Sequence, residues 1–299
     1  MKSKRFGLLC FLLSLFLLLS GCIQPTETVS PPETTDLITQ ATTEEIVTEQ
    51  QTTAPTYFYE SMQYQYKTDV TASINYFVTN LDSEYLILAN KTHSLEKNYA
   101  PLTTVRLTCP TYYGKEVELE SRAAQALYAM LAEMLADGVT DIYVTSGYRT
   151  YEYQETLYQQ YITKEKSTLS EQAYAFLGEA YIKTVYLDND LTGLTHLDAE
   201  RVVQSYSAMP GTSEHQTGLC VDFVTSNVLL EQAFENTQAF LWLSQNAYRF
   251  GFILRYPSNK TEVTGYTYEP WHYRFVGREA ATEIHFRNLS LEEFLETAQ

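Results

Sequence analysis

Residues 23–57 most constrain what this chain can fold into, because they can contribute almost nothing to a core. The stretch holds eleven Thr, four Pro and six Asp/Glu, and no Lys, Arg, Gly or aromatic residue before Tyr57. Such a composition cannot bury enough apolar surface to offset the entropy of ordering, so it reads as a disordered, extended tether. Every packed element must therefore come from residues 58–299, where periodic apolar patterning begins. About 240 residues suit one domain of ordinary to large size.

What precedes the tether reads as an address. Lys2, Lys4 and Arg5 lead into an apolar run from Phe6 to Leu19. That length suits a signal-peptide core and falls short of the ~20 residues a spanning helix needs. The run ends in Leu19-Ser20-Gly21-Cys22, which resembles the lipobox of bacterial lipoproteins. The likeness implies cleavage after residue 21, diacylglycerol on the Cys22 thiol, and a tether over 22–57. The domain would then be anchored to the outer face of the cell membrane.

Charge narrows the partners. The formal net charge is -17, from 20 Lys+Arg against 37 Asp+Glu. Nucleic acid is excluded as a partner, since phosphate binding needs a basic face. Outside the leader and Cys22, two cysteines remain, Cys109 and Cys220. In an exported protein they could form a disulfide, with buried free thiols as the alternative.

In the folded part, Tyr85–Leu88 reads as a strand. Residues 119–137 carry Ala124, Leu127, Tyr128, Leu131, Met134 and Leu135 at helical spacing, closed by Gly138. Ile142–Thr145 reads as a strand running into Ser146-Gly147-Tyr148-Arg149, followed by a helix with Leu157, Tyr158 and Tyr161 on one face. A further helix is expected over 232–248, then strands at Phe252–Tyr256, Leu219–Val224 and Trp271–Phe275. Ser290 with Glu293 is a capping box for a last short helix. Helices and strands mix without strict alternation and without repeats, which reads as one α+β domain.

Two segments concentrate site-like residues: Ser213-Glu214-His215-Gln216-Thr217-Gly218-Leu219-Cys220-Val221-Asp222 and Tyr268-Glu269-Pro270-Trp271-His272-Tyr273-Arg274. Asp222 sits between Val221 and Phe223, where an unpartnered carboxylate is costly to bury, so it needs a metal or a cation. Pro270 bends the chain and can turn Glu269 and His272 toward one point. A catalytic zinc site takes three such protein ligands and leaves a fourth position open.

These motifs resemble the D-alanyl-D-alanine carboxypeptidase family of VanY type, kin to the hedgehog fold. The family carries Ser-x-His-(six residues)-Asp and Glu-x-x-His, both unbroken here. The likeness extends to Ser146-Gly147-Tyr148-Arg149 with Gln154, to Asn90-Lys91 and to Tyr99-Ala100-Pro101-Leu102, covering roughly residues 85–287. It implies a small, mostly antiparallel sheet flanked by helices, and one Zn2+ held by His215, Asp222 and His272. Glu269 would take the proton of the attacking water. Arg149 would hold the substrate's terminal carboxylate or the developing oxyanion, with Gln154 and Ser213 as further substrate contacts. The implied substrates are peptidoglycan stem peptides ending in D-Ala, cut by a D,D- or an L,D-carboxypeptidase acting as a monomer. A non-catalytic zinc-containing cell-wall-binding module is the alternative. Cys220 departs from the family pattern, where a small residue such as Ala is more usual, and is expected to leave the ligands undisturbed. His93, His196 and His285 read as structural. Ser94-Leu95-Glu96-Lys97 matches the Ser-x-x-Lys of serine D,D-peptidases, but neither Ser-Asp-Asn nor Lys-Thr-Gly follows it.

Overall fold

The computed structural model describes residues 58–297 apart from Asn80, Asp82 and the segment 178–191. The leader, Cys22, the tether and the His196 side chain lie outside the described residues. Among the described residues no helix is long and apolar enough to cross a membrane.

Among the described residues, six strands form two sheets. β1 (Thr104–Arg106) pairs with β2 (Glu118–Glu120) in a small antiparallel ribbon. β3 (Tyr143–Ser146), β4 (Cys220–Val224), β5 (Phe252–Leu254) and β6 (His272–Phe275) form an antiparallel sheet in the order β3-β4-β6-β5. The helices are α1 (Ile74–Phe77), α2 (Ser121–Ala136), α3 (Tyr151–Leu177), α4 (Thr192–Tyr206), α5 (Gln238–Asn246), α6 (Thr261–Thr264), α7 (Arg278–Arg287) and α8 (Leu291–Thr297). This is the α+β architecture the sequence implies.

Period-2 alternation divides the four-stranded sheet into two unlike faces. Val144, Val221, Phe223, Tyr273, Phe275 and Phe252 turn to one side and join the main apolar core with Ala124, Leu127 and Met130 of α2. The alternate residues Ser146, Cys220, Asp222, His272 and Arg274 turn to the other side. Registers bring them together: Asp222 pairs with His272 across β4/β6 and with Ser146 across β3/β4, and Cys220 pairs with Arg274. A bulge between Val144 and Ser146 shifts the register by one residue, which carries Ser146 onto the face of Asp222. One side of the sheet thus holds the fold and the other holds polar groups.

α2 forms where helical periodicity predicts it. Glu120 caps it by accepting from the Arg122 and Ala123 amides, and Gly138 follows its C-terminus with φ +83°. Ser290 and Glu293 form the expected capping box, with Ser290 N donating to Glu293 Oε2 at 2.7 Å and Glu293 N to Ser290 Oγ at 3.2 Å.

Three expectations are corrected. Tyr85–Leu88 is not a strand, because the Tyr85 and Ile87 carbonyls accept from the Arg274 guanidinium instead of from a neighbouring strand. The helix expected over 232–248 breaks at Thr237. Its Oγ1 accepts from Phe240 N and starts α5 there, with short 3-10 turns at Gln232–Asn236 and Ala247–Phe250. β5 stops at Leu254, so that Arg255 and Tyr256 lie beyond the strand. Cys109 and Cys220 are free thiols, the first half-buried and the second buried.

Candidate active site

His215 lies in a 3-10 turn, Glu214–Thr217, closed by Gly218 at φ +68°. A Cβ on Gly218 would lie 3.1 Å from Pro101 Cγ and 3.2 Å from Glu120 N, so the turn is seated directly on the segment around Tyr99–Leu102. Gln216 strengthens this seat by donating to the Glu96 and Tyr99 carbonyls. The Tyr99-Ala100-Pro101-Leu102 motif therefore serves the site by holding the histidine turn.

Gly147 has a different reason to be glycine. A Cβ there would lie 2.3 Å from the Glu118 carbonyl oxygen. The close approach lets Tyr148 N donate to that carbonyl at 2.7 Å and leaves the Gly147 carbonyl facing His215. His215 Nδ1 is 2.6 Å from that carbonyl. A carbonyl can only accept, so Nδ1 carries the proton and Nε2 presents its lone pair to the site.

The donors converge. His215 Nε2 is 3.2 Å from Asp222 Oδ2, and His272 Nδ1 is 2.8 Å from Asp222 Oδ1. The two rings stand edge to face at 5.1 Å. Ligands 2.0–2.1 Å from a tetrahedral zinc ion lie roughly 3.3 Å apart, so this spacing suits one. Two imidazoles and a carboxylate, all buried, are also the donor chemistry of a catalytic zinc site. The residues present fit the ion. On the neighbouring strand position, Cys220 Sγ lies with one nitrogen each of His215 and His272 in a group whose atoms are all within 4.8 Å of one another. The alternation of β4 turns residues 220 and 222 to one face, which brings the Cys220 thiol beside the two histidines.

Glu269 Oε2 is 3.9 Å from His272 Nδ1. Burial pushes the Glu269 carboxyl up to about 7, although the His272 imidazole beside it pulls the other way. Asp222 behaves oppositely. Burial pushes its carboxyl up, but the His215 and His272 imidazoles outweigh that and hold it well below the usual carboxylate range. Two carboxylates in one pocket with affinities driven apart suit two different tasks.

Arg149 is held in place by its own surroundings. Nε and Nη2 donate to Ser146 Oγ at 3.0 and 2.8 Å, Nη1 to Gln154 Oε1 at 3.1 Å, and Nη2 to Asp222 Oδ2 at 3.3 Å. Gln154 has both ends occupied, since Nε2 donates to the Ala208 carbonyl at 2.8 Å. It orients Arg149 and ties α3 to the loop after α4. Ser213 lines the same cavity of about 310 Å³, together with Arg149, His215, Asp222, Glu269 and His272. Leu157, Tyr161, Tyr206, Leu230, Tyr256 and Trp271 supply its less polar walls.

Beneath the site lies a network that sequence patterning does not reveal. Glu214 Oε1 accepts from Arg255 Nε at 2.7 Å and Arg274 Nη1 at 2.8 Å, and all three side chains are fully buried. Glu292 takes the other two Arg255 nitrogens at 2.8 and 2.7 Å, and Asn90 donates to the same carboxylate. Glu214 Oε2 is 3.6 Å from His272 Nε2, and neither atom has a hydrogen-bond partner. The one signal in the sequence is Arg274 itself, a charge alternating with Tyr273 and Phe275 as Asp222 alternates with Val221 and Phe223.

Other chemistry-bearing residues fall elsewhere. His93 closes a turn on Asn90, and His285 stacks on Tyr248 with ring centroids 4.3 Å apart. Ser94 and Lys97 are both exposed, and Lys97 pairs with Glu152, so they form no buried nucleophile pair.

Comparison with known proteins gives the same assignment. The family model VanY, D-alanyl-D-alanine carboxypeptidase, matches residues 116–278, more than half of the chain. A D-alanyl-D-alanine carboxypeptidase of Enterococcus faecalis is 36% identical over 195 residues, covering 63% of this chain; the match spans 62% of that relative's length. Among solved structures, the LdcB LD-carboxypeptidase superposes with a TM-score of 0.57 at 32% identity, over 71% of this chain and 86% of the other. The vancomycin resistance D,D-pentapeptidase VanY of the VanB-type cassette, in complex with Zn(II), gives 0.54 at 33% identity, over 71% of this chain and 99% of the other. With the family's sheet under the site, its motifs unbroken and its match spanning most of the folded part, the chain belongs to the VanY family of D-alanyl-D-alanine carboxypeptidases.

Proposed function

We propose that this protein is a lipid-anchored zinc carboxypeptidase that releases the terminal D-Ala of peptidoglycan stem peptides at the outer face of the membrane. The observation that carries the reading is the convergence of His215, Asp222 and His272 beside a buried Glu269, with Arg149 in the same cavity. When bound, the ion supplies Lewis acidity that polarises the scissile carbonyl and acidifies the attacking water. His215 Nε2, an Asp222 oxygen and His272 Nδ1 would hold it.

The chain's own residues supply the rest. Glu269 Oε2 accepts a proton from the attacking water as the C–O bond forms. The same carboxyl returns it to the leaving nitrogen as the C–N bond breaks, giving free D-Ala and a stem shortened by one residue. Arg149, fixed by Ser146 and Gln154, presents a planar fork to the terminal carboxylate or the developing oxyanion. Ser213 stands within the cavity as a hydrogen-bonding partner for the peptide. Glu269 at this position favours hydrolysis over a binding-only role, since recognition alone needs no base beside the ion.

Purified protein incubated with pentapeptide and tetrapeptide stems tests the reading by mass analysis. D-Ala is expected to be released from one or both, abolished by a chelator and untouched by a β-lactam. The neighbours named D,D-pentapeptidase and LD-carboxypeptidase define these two stems, and the product masses assign the specificity. Release from neither stem with zinc present overturns the proposal.

Anchoring is tested separately. Cys22→Ser is expected to abolish incorporation of labelled fatty acid into the protein, and undiminished labelling excludes Cys22 as the lipid site.

A further inference from the structure

One buried side chain on the polar face of the sheet has no part in this reaction. Cys220 is fully buried. Standing two residues before Asp222 in β4 and opposite Arg274 of β6, it turns its thiol to the face that carries both histidines. Its Sγ and the His215 and His272 donors lie within 4.8 Å of one another. All three side chains are buried. Cys220 is not part of a disulfide.

We propose that Cys220 is a thiolate donor to the same divalent ion that His215, Asp222 and His272 hold. The inference rests on the zinc-peptidase reading above. On binding, the S–H bond breaks, a sulfur–metal bond forms and the proton leaves to solvent, with no change of oxidation state. Two consequences follow. A soft sulfur shifts the site's preference toward thiophilic ions. A fourth protein donor also takes the position that a catalytic site keeps open, so substrate must either displace the thiolate or enter a five-coordinate site. Cys220 thereby trades turnover for a tighter hold on the ion.

The test uses the solubilised full chain loaded with cobalt(II) as the probe ion, with Cys220→Ala and the near-isosteric Cys220→Ser alongside. One cobalt per chain is expected in all three. The intense near-ultraviolet sulfur-to-cobalt charge-transfer band is expected in the parent and absent from both variants. In competition with a chromogenic chelator, the variants are expected to hold zinc about 10–100-fold more weakly, the range reached even by partners outside the ligand shell. A parent that binds cobalt without this band, or a band that persists in both variants, overturns the proposal while leaving the peptidase reading intact. A parent that shows the band yet releases no D-Ala refutes the peptidase reading and leaves this one standing. A chain that takes up no cobalt overturns both.

Discussion

Glu269→Ala is expected to lower kcat/KM for D-Ala release by about 10²–10⁴-fold, the usual contribution of a positioned proton-transfer group, while the protein still binds one zinc per chain. That loss corresponds to about 3–5 kcal/mol of transition-state stabilisation. The split follows from the geometry. Glu269 sits 3.9 Å from His272 Nδ1, beside the donors but outside the trio that closes on Asp222. His215→Ala, which removes a donor, is expected to lose both zinc and activity. The pH profile carries the sign. Glu269 must be deprotonated to accept a proton, so the rate rises with pH as the carboxyl ionises. Burial pushes this carboxyl up to about 7, and a bound cation can only draw it down, so the ascending limb lies at or below about 7. Steady-state kinetics against pH, with metal content measured on the same samples, checks all three statements. A Glu269→Ala protein of parental activity would refute the assigned base, and one that had lost its zinc would make Glu269 a ligand instead.

Much of this site is legible in the sequence because it is written in period two. Cys220-Val221-Asp222-Phe223 and His272-Tyr273-Arg274-Phe275 alternate polar with apolar residues, and the apolar partners are the ones that pack on α2. A carboxylate inside such a strand demands a cation, which is why Asp222 stands out on sequence grounds alone. The Ser290–Glu293 box and the α2 periodicity are legible for the same local reasons. What stays hidden is non-local. Nothing near Tyr85 announces that its carbonyl is claimed by Arg274, 189 residues away, so an apolar run there resembles a strand. Nothing in Gln154 shows that Ala208 accepts from its amide, so its tie between α3 and the loop after α4 goes unread. β1 and β2 span three residues each, too few for an alternation to register. Thr237 illustrates the remaining case. A hydroxyl inside a helical pattern can bond forward and start a new helix, and periodicity alone does not say which it does.

Glu214→Ala should be the most damaging single change to the fold. Its carboxylate faces two arginines with no solvent exposure. Burial pushes the Glu214 carboxyl up, and Arg255 and Arg274 outweigh that and hold it far below the usual range. Arg255 would keep Glu292. Arg274 would keep only the carbonyls of Tyr85, Ile87 and Phe275, dipoles that cannot neutralise a buried cation. Removing one partner of a buried ion pair costs about 3–5 kcal/mol. For a domain of this size that lowers Tm by about 6–20 °C, against a total stability of about 5–15 kcal/mol. Glu214→Gln retains an acceptor for one arginine and separates the fold from the site. It should lose less stability, yet it removes the negative charge 3.6 Å from His272 Nε2. Zinc affinity in this variant should fall by about 10–100-fold. The acid response gives an independent readout. Because the native carboxyl is depressed, its stabilisation is complete above the unfolded value of about 4.3 and fades as pH drops through the native one. The glutamine variant should therefore show a shallower loss of stability below about pH 4. Thermal melts across pH and zinc titrations of both variants decide the matter. A Glu214→Ala protein with parental Tm would show that the arginines find their counter-charge elsewhere, and a glutamine variant with parental zinc affinity would show that His272 needs no help from below.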